Sequence, residues 1–155
     1  MPELITLNNV DSDAVNSFAA LATDNATLNG TTTLGAATET VSLPTFVEGV
    51  DHATHDISQS SIFVHDTATS NFTANFTNVP TTNDRTISIA LIIPQGAAGY
   101  LPTAVQIDGE SQVILWQGAV APEPSINATD IVRFTLFRSG GTWSVLGVVN
   151  KFGSV

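Results

Sequence analysis

Asp130–Val149 reads DIVRFTLFRSGGTWSVLGVV, and its pattern decides the fold. Two alternating apolar runs flank Ser139-Gly140-Gly141, a β-hairpin signal with glycines where the turn requires positive φ. On the first run Val132, Phe134 and Leu136 share a face. On the second Trp143 and Val145 share one, with Gly147 between Val145 and Val149. Alternation with period two predicts strands buried on at least one side.

The same period recurs upstream. Thr38–Leu43 alternates, and Pro44 ends it or marks an edge. Across Ser61–Asp66, Ile62 and Val64 fall on one face, Phe63 and His65 on the other. Phe72, Ala74 and Phe76 line one face of the next strand. Thr86–Ile93 is apolar on both faces at its end, which predicts a central strand closed by Pro94 and Gly96. Thr103–Ile107 and Gln112–Gln117 flank Asp108-Gly109, a two-residue hairpin turn. Ala119–Ala128 reads as a Pro-containing loop. About eight strands with frequent turns and no intervening helical pattern predict an all-β fold. The expected form is an antiparallel β-sandwich, jelly-roll-like, over 38–155.

The first 37 residues differ. Asp11 or Ser12 caps a predicted short helix through about Thr23, with Val15, Phe18, Ala19 and Ala22 on one stripe. Asp24–Ala37, DNATLNGTTTLGAA, reads as a linker or extended arm. A helix this short is marginal in water and must pack on something. Residues 1–37 are therefore read as an assembly arm, with Leu4, Leu7, Val15, Phe18 and Leu21 as its buried contacts and Phe18 as the anchor.

Only 12% of the 155 residues are charged, against about 25% in ordinary soluble domains. Hydrophobic residues make up 43%, more than the evident core positions need, which predicts association between copies. The formal net charge is -10, with Arg85, Arg133, Arg138 and Lys151 the only strong bases. Without a basic stripe the chain is expected to bind neither nucleic acid nor an acidic membrane surface. There are no cysteines, so disulfides and thiolate metal sites are excluded. No secretion signal or membrane-length apolar run is read.

Four stretches carry a family resemblance: SNFTANFTNVP at Ser70–Pro80, ISIALIIPQG at Ile87–Gly96, AVQIDGESQVILWQG at Ala104–Gly118, and FTLFRSGGTWSVLG within the closing hairpin. In this order, over roughly Ser61 to Val149, they resemble the C-terminal β domain of virion structural proteins of tailed bacteriophages, particularly phages of marine cyanobacteria. The resemblance implies a fibre-like tail appendage or head decoration located in the virion. It also implies other virion proteins as partners and no catalytic residues. With the composition, it predicts a homotrimer without cofactor.

His52, His55 and His65 stand among Asp51, Asp56 and Asp66, in sequence that reads as an acidic loop. Imidazole and carboxylate can hold a divalent metal, but no closed ligand set is evident, so histidines that are solvated or hydrogen-bonded in an exposed loop are expected. On a strand, the H-x-x-H spacing of His52 and His55 would send them to opposite faces. Ser58 or Ser60 with His55 and Asp56 makes a hydrolase triad on paper, without a nucleophile elbow. Asp108 and Glu110 fit a hairpin tip better than a pair of catalytic carboxylates. Tyr100 and Trp116 are candidate surface-recognition aromatics, while Trp143 is expected in the core. If exposed aromatics gathered around one loop end, the chain would instead read as a carbohydrate-binding adhesin module. The leading expectation is a non-enzymatic virion protein.

Overall fold

The computed structural model describes residues 39–46, 51–65 and 68–153. The chain divides between Ala37 and Thr38 into two units, and every described residue lies in the second. The expected short helix and the arm contacts Leu4, Leu7, Val15, Phe18 and Leu21 lie outside the described residues.

The described residues form an all-β unit of eleven strands. They are β1 (Val41–Ser42), β2 (Thr45–Phe46), β3 (His52–Asp56), β4 (Ile62–Val64), β5 (Phe72–Thr77), β6 (Arg85–Pro94), β7 (Pro102–Ile107), β8 (Glu110–Gln112), β9 (Ile114–Trp116), β10 (Thr129–Ser139) and β11 (Thr142–Phe152). A six-stranded sheet runs β1-β4-β6-β10-β11-β9, and a five-stranded sheet runs β2-β3-β5-β7-β8.

The hairpin read from Asp130–Val149 is the longest pairing. β10 and β11 run antiparallel from Thr129 opposite Phe152 to Ser139 opposite Thr142. Gly140 and Gly141 make the turn at φ of 56° and 81°, the left-handed region where a Cβ is costly. β6 flanks β10 on its other side, so the strand expected to be central is central. The predicted inward faces also hold. Phe72, Ala74 and Phe76 on β5, Val132, Phe134 and Leu136 on β10, and Phe63 on β4 are all buried. Both sheets contribute side chains to a single core. Phe76 of the smaller sheet meets Phe134 of the larger edge-on, with ring centroids 5.6 Å apart.

Three expectations are corrected. The sheets are mixed rather than antiparallel: five of the nine strand pairings are parallel. The cause is the chain's path. From β3 to β7 it alternates between sheets, so β3, β5 and β7 lie side by side in one while β4 and β6 adjoin in the other. From β3 to β7 each crossover between parallel neighbours is thus a strand of the opposite sheet rather than the usual helix, whereas β9 and β11 are parallel with β10 of their own sheet between them in sequence. The strand count also exceeds eight. Gln112–Gln117, read as one strand, is two: β8 pairs with β7, the chain passes at exposed Val113, and β9 pairs with β11 in the other sheet. The stretch read as an acidic histidine loop contains β3.

Trp116 fixes how the β9 edge packs. Its ring lies 5.8 Å from that of Phe134 and covers Gly147, the residue opposite Phe134 on β11. A Cβ at Gly147 would stand 2.6 Å from two Trp116 ring carbons and 3.0 Å from Cγ2 of Ile114. Gly147→Ala should therefore displace the indole from the core margin. The expected cost is about 1–3 kcal/mol, as for other overpacked sites. In a Trp143→Phe background, urea unfolding should shift by that amount and tryptophan emission should move to the red. Unchanged emission would mean the ring accommodates the methyl in place.

Candidate functional site

β-strand alternation gives the larger sheet an outer face as well as a core face. The pairing register sets its rows. Val41, Ile62, Ala90, Arg133 and Val148 form one row across five strands. Val64, Ile92, Ile131 and Asn150 form the next. Ser88, Thr135, Leu146 and Leu115 form a third. Arg133 is the one charge in these rows, and most of the rest is aliphatic. At the two edges the apolar side chains are open to solvent: Val41 is 52% and Leu43 64% exposed, and Leu115 is 55% and Leu146 42% exposed. Leu115, Leu146, Val148, Arg133, Gln117 and one side of Trp116 border a shallow cleft of about 360 Å³. A contiguous apolar surface of this kind on a sheet marks a contact site more often than a free surface.

The histidines go elsewhere. β3 is a strand, so His52 and His55 fall on opposite faces, His52 half-buried and His55 fully buried. His65 follows β4 and is also buried. The two buried rings meet in the core, with Nε2 to Nε2 at 2.8 Å. Phe63 stands edge-on to His55, and Phe72 stacks on His65 with ring centroids 4.7 Å apart. A contact between two ring nitrogens holds one proton, so one ring donates and the other accepts. Nδ1 of His55 lies 3.4 Å from the Asn75 carbonyl. With its proton there, His55 accepts at Nε2 and His65 donates. Burial pushes the His55 value down to about 3, helped by repulsion from His65, and burial pushes that of His65 down to about 4. Both rings are neutral at physiological pH, hydrogen-bonded as the sequence allowed but buried in the core rather than exposed in a loop.

Among the described residues, Ser58 and Ser60 are both engaged elsewhere. Ser58 donates to the Asp56 carboxylate at 2.7 Å, and Ser60 donates to backbone carbonyls of Thr40 and Ile62. The Asp56 carboxyl is held below the usual range by hydrogen bonds from Asn78 and Ser58. The triad drawn from Ser58 or Ser60, His55 and Asp56 is not assembled. Among the described residues no group of three or more His, Asp or Glu is placed to hold a metal. Asp108 and Gly109 form the expected hairpin turn, and the Asp108 carboxylate accepts from the Asn78 amide at 2.8 Å.

The aromatics do not gather. Tyr100 is half-buried in the loop after β6, where its backbone N–H and carbonyl both bond the Gln95 side chain at 2.9 Å. Trp116 lies on the core side of β9. Trp143 packs half-buried against the core near the β10–β11 turn, with the Arg138 guanidinium 5.8 Å from its ring. The three therefore sit at separate places along the sheet.

Sequence reasoning passed over Asp130. This fully buried carboxylate accepts from Gln95 Nε2 at 3.0 Å and from the Ser125 amide at 2.8 Å, tying the loop after β6 to the loop before β10. Its signal was an Asp at the start of an alternating run, at the parity of Val132 and Phe134. For the buried histidines the signal was similar: Ala53 and His55, and Phe63 and His65, each share a parity.

Compared with known proteins, the chain matches no family model, no curated protein and no solved structure.

Proposed function

We propose that this chain is a non-enzymatic structural protein of a tailed-bacteriophage virion, a sandwich-type β body that assembles with copies of itself and with other virion proteins. The observation that carries the assembly role is the outer face of the larger sheet, three rows deep with Arg133 its one charge. Leaving such a face in water forgoes roughly 25 cal/mol per Å² of apolar surface, so a partner that covers it is strongly favoured. The low share of charged residues, 12%, points the same way. The virion setting is supported by the resemblance of the Ser61–Val149 stretches. The serines, histidines and carboxylates of the β3–β5 region are engaged with one another and with backbone, which fits a scaffold better than a catalyst.

The expected result in solution is a homotrimer. Light scattering on the purified chain at micromolar concentration should give three times the 16.2 kDa chain mass. Antibody labelling of purified phage particles should decorate the tail appendage or the head. A monomer mass together with unlabelled particles would sink the reading.

A further inference from the structure

We infer that copies of this chain join head to tail through the larger sheet, the β1 edge of one copy docking beside the β9 edge of the next. This rests on the assembly reading above and names its interface. The two edges are complementary in three respects.

First, both carry their solvent-exposed aliphatic side chains on the same outer face. Val41 pairs with Ile62 and Leu115 pairs with Leu146, in rows that alternate with the buried Phe63 and Val145. Laid side by side, the two edges continue one apolar surface across the joint.

Second, their charges are opposite. Glu39 is exposed beside Val41 and Leu43, whereas Arg133 borders the cleft that holds Leu115 and Leu146. With four strong bases in the whole chain, a base at this cleft selects an acidic, apolar occupant, and the β1 edge is one. A like-with-like contact of two β9 edges would bring the two Arg133 clefts together instead.

Third, the directions fit. β1 is parallel to β4 and β4 to β6. β6 is antiparallel to β10 and β10 to β11, and β11 is parallel to β9. β1 and β9 therefore run the same way. Rotation about an axis along the strands keeps that direction, so β1 of one copy meets β9 of the next as a parallel pair. Unlike edges that meet under a rotation that closes form a ring, and both edges that the described strands leave unpaired are thereby covered.

The test uses two variants of the full chain, Val41→Asp and Leu115→Asp, each placing a charge on one edge. Light scattering should find each alone at the monomer mass. Mixed in equal amounts they should form a dimer of one copy each, because each retains the edge the other lacks. Leu146→Asp replaces Leu115→Asp if circular dichroism shows the latter unfolded. If the wild-type chain assembles and either variant keeps its mass, this interface is wrong while the assembly reading stands. If both variants are monomers and their mixture stays monomeric, the intact β1 and β9 edges do not join and the head-to-tail arrangement is overturned. A monomeric wild-type chain overturns the interface and the assembly reading together.

Discussion

Lowering the pH from 7 to 5 should strip several kcal/mol of stability from this protein. His55 and His65 titrate near 6.5 when unfolded and at about 3 and about 4 when folded. Between these limits the unfolded chain binds more protons than the folded one, so stability falls as pH falls. The contribution is fully present above pH 6.5. It is lost through the window below, at up to about 1.4 kcal/mol per pH unit for each ring. Two rings acting together give a slope near 3 kcal/mol per unit, against a total of roughly 5–15 kcal/mol for a domain.

The geometry explains why the core cannot absorb the charge. The Nε2–Nε2 contact at 2.8 Å has room for one proton. A second would set two N–H groups against each other between Phe63, Phe72 and Phe76. The ionisable neighbours on the same strand give no relief: His52 adds repulsion, and the Asp56 carboxylate is engaged by Ser58 and Asn78. Asp56 works in a lower window, since its depressed value makes its contribution fade only below its ordinary 3.8. Urea unfolding at pH 7, 6 and 5 measures the slope. Replacing His55 with Leu and His65 with Phe should flatten it. Equal urea midpoints at pH 7 and pH 5 in the wild-type protein would show that the pair takes up protons without strain.

Phe134→Ala should cost about 3–5 kcal/mol, the range for emptying an aromatic site in a packed core. Phe134 is fully buried at the middle of the larger sheet, opposite Ile89 on β6 and Gly147 on β11. It touches Phe76 of the other sheet and Trp116 of the β9 edge. Because Gly147 has no side chain, Trp116 and Ile114 fill the space beside it, and truncation of Phe134 opens a cavity that its neighbours cannot close without leaving their own contacts. A thermal midpoint lower by about 10–20 °C is expected for a unit of this size. Phe137→Ala, three residues along and on the outer side of the same strand, should cost under about 1.5 kcal/mol. Equal losses at the two positions would mean the sheet's two faces are equally buried, against the alternation.

What the sequence determined is what period two and turn chemistry can carry. The β10–β11 hairpin, its Gly140-Gly141 turn, the Asp108-Gly109 turn, the central β6 and the inward sets Phe72, Ala74, Phe76 and Val132, Phe134, Leu136 were legible, because facing alternates within a strand whatever its partner. Which strand lies beside which was not. Direction and partner depend on where the chain returns after leaving the sheet, and β4 and β6 run parallel only because β5 crosses in the other sheet between them. The break of Gln112–Gln117 into β8 and β9 has the same origin, for the residues suit one strand and only the competing claims of β7 and β11 divide them. The histidines show the limit most clearly. His55 and His65 look solvated next to Asp56 and Asp66 in the sequence, and an imidazole enters a core only when its polar atoms are satisfied there. The nitrogen that His55 meets belongs to His65, just past β4 of the opposite sheet, so their burial was decided by tertiary structure alone.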